Sequence, residues 1–463
     1  MLSEIYNIKV VKHIMFLCIS CVICARVFTS DIRRPYVVMR VRQSVVAGIA
    51  ASASCPPLLE LGKLEHALVV SRPSKTIKSP YVADVLLVKD VEPSRRGSMQ
   101  ERLTQLRSRL PAAAKVTKAE SKRAALEQQN SIFAYLDSLT STRHLAHAPS
   151  LDCAGMAVTG AAVWVSERGS DTAKTAFTVQ LCEEDREDEG ERAIVGYHPV
   201  LAEKAFRALL EADDAFVREQ LGVEGGRASI ESVLSQQTFG KSRVDFVLPT
   251  RDNRLLLVEV KNVVGADYIQ GRVPLSRSPV GVYTVPPRER GRCAIFPHGN
   301  TKADLGVVSD RAIKHLTELQ NLQGSIHTDG RLIQSVVMFM VNRDDCTAFR
   351  PCHEADMLFA QCLQAAENAG VLVLAKALHW DLQHGCCTAG KSLPVVYDDS
   401  VDYKLLDAEL LARVLAYNEI HGSDRSGSPS KSPTKSPSKS KSDGESKGES
   451  KGESKSKKRQ KTE

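Results

Sequence analysis

The segment from Arg243 to Lys261 constrains the fold more than any other stretch of the chain. Arg243-Val244-Asp245-Phe246-Val247-Leu248 and Leu255-Leu256-Leu257-Val258-Glu259-Val260-Lys261 are apolar-alternating runs around a polar turn, Pro249 to Arg254. That is the pattern of a β-hairpin. With the turn centred on Asp252, Asp245 falls opposite Glu259 and Arg243 opposite Lys261. Side chains alternate with period two along a strand. These four are therefore expected on one face, with Val244, Phe246, Leu248, Leu256, Val258 and Val260 on an apolar reverse.

Two carboxylates facing each other across a sheet repel, and a divalent cation between them reverses the sign. Mg2+ takes one or two carboxylates, keeps several waters and accepts phosphate oxygens. Asp245 and Glu259 are the expected ligands, and the Val260 carbonyl completes the shell. Lys261 then stands beside the metal-bound water, where an ammonium lowers its pKa, orients it or neutralises charge developing on a phosphate. The expected chemistry is phosphodiester hydrolysis. The competing account is a cross-strand ion pair of Glu259 with Arg243 or Lys261 on a solvated face. Glu203 is a further candidate ligand, on a helix starting near Pro199 with Ala202, Ala205, Phe206, Leu209 and Leu210 as its apolar stripe. Its plainer reading is a surface acid favoured by the helix dipole.

The flanking pattern supplies the frame. Leu64–Val70, Tyr81–Val88, Ala161–Val165 and Ala176–Leu181 are short and β-rich, which predicts a small β-barrel over about 55–198. A helical or loose insertion over about 92–142, rich in Arg, Lys, Gln and Ala, interrupts it. From 199 to 421 the pattern alternates: helices over Ser309–Gln320 and Ala355–Ala369, the latter closed by Gly370, with strands at Val336–Val341 and Val371–Ala375. That alternation predicts an α/β domain. Its insertion, about 265–308, reads as a long surface loop from Gly265 to Arg292.

The net charge is +7, but 10 Lys and 2 Arg against 6 acids lie between Gly422 and Glu463, so the rest is near neutral. Charge therefore argues for nucleic-acid contact only at the tail. Three Ser-Pro-Ser/Thr-Lys and three Gly-Glu-Ser-Lys repeats make 422–463 a disordered basic segment. Phosphorylation at Ser428, Ser432 and Ser436 is expected to cancel its charge. At the other end, Ile14–Ala25 is too short for a membrane span and suits a signal-peptide core. Arg26–Ser54 has the basic, acid-poor character of a transit peptide. Residues 1–54 thus read as a targeting or disordered extension addressed to a plastid or mitochondrion, with nucleus or cytoplasm as the alternative. Cys18, Cys21 and Cys24 read as small apolar residues there. Cys352-His353 and His384-x-Cys386-Cys387 form no paired zinc set.

The ordered motifs resemble the sugar fermentation stimulation protein family. They are His147-Ala148-Pro149, Gly155-Met156, Ala162–Ser166, Ser242–Phe246, Val258–Asn262, Arg311 with Lys314-His315-Leu316, Phe349-Arg350-Pro351 and Ala365–Val371. The resemblance covers about Leu58–Asp90 and Ala146–Tyr397. It implies an N-terminal OB-like β-barrel followed by a restriction-endonuclease-like α/β domain. It also implies DNA binding, single- or double-stranded, with Asp245, Glu259 and Lys261 as the nuclease residues. Arg243, Arg311, Lys314, His315 and His147 are the expected nucleic-acid contacts. Two outcomes stay open: a Mg2+-dependent nuclease, or a non-catalytic DNA-binding module with a vestigial site. No small-molecule cofactor and no stable membrane span are expected. The chain departs from the family after Pro149, where Ser150–Ala154 replaces Asn-Thr-Gly-Ser-Met. His298 stands where the family has an acid, and Asp310 shortens a Glu.

Overall fold

Short apolar segments in the first half close on themselves. The computed structural model describes residues 56–107, 118–150, 155–169, 173–185, 192–239, 242–269, 283–285 and 291–422. The expectations for the N-terminal extension and for most of the tail lie outside these residues. Five strands form the barrel: β2 (Glu65–Ser71), β3 (Val82–Leu87), β4 (His144–His147), β5 (Ala162–Glu167) and β6 (Phe177–Asp185). The first is flanked by the second and fourth, all antiparallel, and parallel pairing of β4 with β6 closes the ring. β7 (Arg192–Gly196) extends the sheet beyond β6.

The strands at the barrel's front have no polar face. Ala67, Val69, Val85, Val163 and Val179 fill the interior, while Leu68, Val70 and Leu86 point outward and are also buried. The outer cover is α1 (Pro93–Arg107) and α2 (Lys118–Leu139), through Leu103, Leu106, Ile132 and Leu136. The insertion is therefore a helical hairpin packed on the barrel. β3 is accordingly buried along its whole length, as strands covered on both faces are, with Asp84 satisfied there by the hydroxyls of Ser71 and Ser74.

The second half is a seven-stranded sheet. At its centre β10 (Arg254–Val263) lies parallel to β14 (Leu332–Val341), which lies parallel to β16 (Leu372–Asp381). The crossovers carry α4 (Asp310–Leu322) and α5 (Met357–Asn368), which with α6 (Ala408–Gly422) cover one face. The other face packs on α3 (Val200–Ala212), through Leu201, Ala202, Ala205, Phe206, Leu209 and Leu210. At about 1.5–3 kcal/mol per buried large side chain, that stripe fixes the helix and with it Glu203. Antiparallel strands finish both sides: β9 (Ser242–Pro249) and β8 (Leu234–Phe239), then β17 (Cys386–Leu393) and β1 (Leu59–Glu60). β1 thus precedes the barrel in sequence but joins the other sheet.

Two expectations need correction. The hairpin was expected to have one apolar and one open face, but both are packed. Val247, Leu255 and Leu257 join the α4 side, and Phe246, Leu248, Leu256, Val258 and Val260 the α3 side. The region Gly265–Arg292 is not a surface loop at its ends. Ala266, Asp267 and Tyr268 are buried, as is Arg292, whose Nε donates to the Asp267 carbonyl at 3.0 Å.

Candidate metal centre

The hairpin register is the one its turn predicts: Leu256 pairs with Leu248, Leu257 with Val247 and Val258 with Phe246. The ladder stops there, one residue short of Glu259 and Asp245. On the other side β8 and β9 pair Ser235 with Phe246 and Gln237 with Val244, skipping Gln236 and Asp245. Gln236 has a φ of 56°, a left-handed conformation uncommon for a residue with a side chain. Val244 packs in the same cluster as Val247, although three residues apart in a regular strand would put them on opposite faces. The alternation therefore breaks at Asp245, and on its Ser242 side β9 stays paired with β8 but no longer with β10.

Asp245 sits in that fork. Its Oδ2 accepts the Val260 N–H at 2.8 Å, and its Oδ1 accepts Gln236 Nε2 at 3.2 Å. The same amide nitrogen donates to Glu203 Oε2 at 3.1 Å, so α3, β8 and β9 meet through one side chain. Glu259 is 5% exposed. Its Oε1 accepts Lys261 Nζ at 2.6 Å and contacts His315 Nδ1, while Lys261 Nζ lies 3.4 Å from that ring nitrogen.

The two carboxylates differ in charge. Burial and then the charge of Glu259 push Asp245 up to about 7, against the Val260 hydrogen bond and Lys261. Burial also raises Glu259, but the Lys261 charge and the His315 hydrogen bond outweigh it and hold it at about 2. Glu259 is the ionised member, and Asp245 is the one short of a cation. A half-buried carboxylate whose hydrogen-bond donors are a backbone N–H and a neutral amide is costly to ionise. Asp245 and Glu203 meet at the Gln236 amide on the α3 side, whereas Glu259 turns to Lys261 and to His315 of α4, so the shared face expected for Asp245 and Glu259 does not form; all three carry hard oxygens of the kind Mg2+ takes. As they stand, no group of three or more His, Cys, Asp or Glu side chains among the described residues is arranged to hold a metal ion.

The other expected residues are distributed as follows. Arg243 is exposed and lines a narrow recess with Phe239, Val244, Glu259 and His315. Arg311 is exposed, and Lys314 faces Glu318 at 3.7 Å. His315 is partly exposed and its Nδ1 is turned onto Glu259. His147 ends β4 in the barrel. Asp310 is buried and takes the Lys302 ammonium. Sequence reasoning missed Gln236, since Leu-Ser-Gln-Gln-Thr-Phe carries no apolar alternation and a left-handed backbone leaves no mark in composition.

A closed five-stranded barrel joined to a mixed sheet with a carboxylate–lysine centre at a strand fork defines the class. Its family follows from similarity. A homologue in Caulobacter vibrioides, described as a sugar fermentation stimulation protein homolog, is 30% identical over 229 residues, covering 50% of this chain and 75% of its own length. Homologues of the same description in Sinorhizobium medicae and Maricaulis maris are 26% and 28% identical, covering 47% and 51% of this chain and 70% and 78% of theirs. The family profile "Sugar fermentation stimulation protein RE domain" matches residues 288–384, C-terminal to Lys261. This chain belongs to the sugar fermentation stimulation protein family. A solved structure, Pyrococcus furiosus SfsA in complex with Ca2+, aligns with a TM-score of 0.44 and 17% identity, covering 74% of this chain and all of that one.

Proposed function

We propose that this protein binds DNA and hydrolyses its phosphodiester backbone at the Asp245–Glu259–Lys261 centre with Mg2+. The observation that carries the reading is the fork itself. A half-buried Asp245, its carboxyl pushed up to about 7, stands within electrostatic reach of an ionised Glu259, and Lys261 is bonded to the latter at 2.6 Å. The strand order supports reading the barrel as OB-like. The β9–β10 hairpin, flanked by α3 and by parallel β14, supports a restriction-endonuclease-like reading of the second half.

In this reading Asp245, Glu259, Glu203 and the Val260 carbonyl hold the metal. Held there, Mg2+ would supply Lewis-acid polarisation of a phosphate oxygen and would lower the pKa of the attacking water. Lys261, fixed by Glu259, places its ammonium where phosphate charge develops. His315 keeps Glu259 in place alongside Lys261. Arg243, Arg311, Lys314 and His147 are proposed to meet DNA phosphates, which fix position without reading sequence.

A second reading is a DNA-binding module with a vestigial site. It is favoured by the lack, among the described residues, of a ready three-ligand group. Cleavage of single- and double-stranded DNA in Mg2+ decides between them. The nuclease reading expects Glu259→Gln and Lys261→Ala to lose at least about 100-fold in rate with DNA affinity kept. Wild-type protein that binds DNA without cutting it points to the second reading.

A further inference from the structure

Gln236 lies outside every residue set so far assigned to the centre, yet it is the side chain nearest to completing it. It stands on the sheet's outermost strand and is less exposed than the residues beside it. Its Nε2 donates to Glu203 Oε2 at 3.1 Å and to Asp245 Oδ1 at 3.2 Å. Two carboxylate neighbours fix which end of the amide is nitrogen, because only the N–H2 donates. Two oxygens from different elements thus converge on one point, and a neutral donor occupies it.

We propose that the Gln236 amide is a placeholder for the cation, keeping Glu203 and Asp245 aimed at a common point until a metal displaces it. The inference rests on the proposed metal site and adds a positioning residue to it. The physical need is clear. Carboxylates converging on one point repel unless something between them carries positive charge, partial or full. The amide has two N–H groups, one for each. A donor at 3.1–3.2 Å spaces them wider than Mg2+ does, whose oxygens lie at about 2.0–2.1 Å, so metal entry requires the amide to leave. The backbone makes the amide available: at φ 56° the ladder skips Gln236 and Asp245, and Gln236 is presented across the fork.

A placeholder competes with its ligand. Removing it should tighten metal binding and cost the metal-free protein stability, whereas removing a ligand weakens binding. The test is calorimetric titration of Mn2+ into the full chain, wild type against Gln236→Ala and Gln236→Gly, with thermal unfolding of each in EDTA and in Mn2+. Glycine accepts the positive φ and keeps the strand, so a folding defect in the alanine variant leaves the question answerable. Both variants should bind Mn2+ at least about tenfold more tightly, the order expected for the net worth of one ordinary hydrogen bond. Each should gain more thermal stability from Mn2+ than wild type does. Unchanged or weaker binding in both variants, while Glu259→Gln still weakens it, overturns the placeholder and leaves the proposed function standing. Mn2+ binding absent from wild type and variants alike overturns both.

Discussion

His198 is held as a neutral ring at the point where the barrel leads into α3. The Val200 N–H donates to its Nδ1 at 3.3 Å, which requires that nitrogen unprotonated. Burial first, then the charges of His147, Lys204 and Arg168, push it from 6.5 down to about 4. Burial also lowers His147, ahead of Arg168, and His66. These rings take up a proton more readily unfolded than folded, so they favour the fold fully above about pH 6.5 and progressively less towards pH 4. Thermal unfolding from pH 7 to pH 4 should show this loss. His198→Gln should reduce it by about 1 kcal/mol, a shift of that size being worth about 3 before screening of a half-buried ring. An acid limb unchanged in the variant removes this account. The centre shows how much was legible at this scale. Asp245, Glu259 and Lys261 were readable because a hairpin turn fixes register, and the observed pairs follow it. The Gln236 bridge was not readable, because it depends on a φ that no residue pattern encodes.

Between elements, the barrel and the sheet are joined by buried charge. Arg343 is fully buried and reaches Glu184 of β6 at 2.5 Å and Asp345 at 2.6 Å, while Arg292 reaches the same two acids at 3.1 and 2.5 Å. Beside them Arg350 meets Asp267 at 2.9 Å. Taking one member from a buried ion pair leaves its partners uncompensated, at about 3–5 kcal/mol. Arg343→Met should therefore lower unfolding stability in urea by that amount, and a loss below about 1 kcal/mol would contradict the role. Gly196 makes the joint closer still: its N–H donates to the Asn342 carbonyl at 2.8 Å, and a Cβ there would lie 2.7 Å from Asn342 Oδ1. Of this joint the sequence pattern marks Ala176–Leu181 and Val336–Val341 as strands, but it reads Glu184 as part of a charged loop and leaves Gly196 outside any strand. Arginines and acids far apart in the chain read as surface charge until the fold pairs them. The same limit hid β8 and β17, whose polar and glycine-containing segments lack both the alternation that marked β10 and the apolar run that marked β14.

Across the whole molecule, the proposed function separates affinity from chemistry. The tail carries a surplus of positive charge and the metal centre lies far from it in sequence. Deleting Ser423 to Glu463 should weaken DNA binding equally for all sequences. It should also make the dependence of log affinity on log salt shallower by up to about 5, with the Mg2+-dependent rate on saturating DNA retained. Complete loss of binding at low salt would confine DNA contact to the tail and sink the proposed role of Arg243 and Arg311. The pairing of β1 with β17 has a consequence for how such a chain is made. Leu59 and Glu60 leave the ribosome early, but their partners Cys387 and Cys386 come near the end of the described chain. The ring of five strands can shut before Lys261 is even translated, while its own leading segment waits, unzipped, for the last strand of the neighbouring layer. Completion of the outer layer is thus a late, long-range event, of the kind that sets slow folding rates.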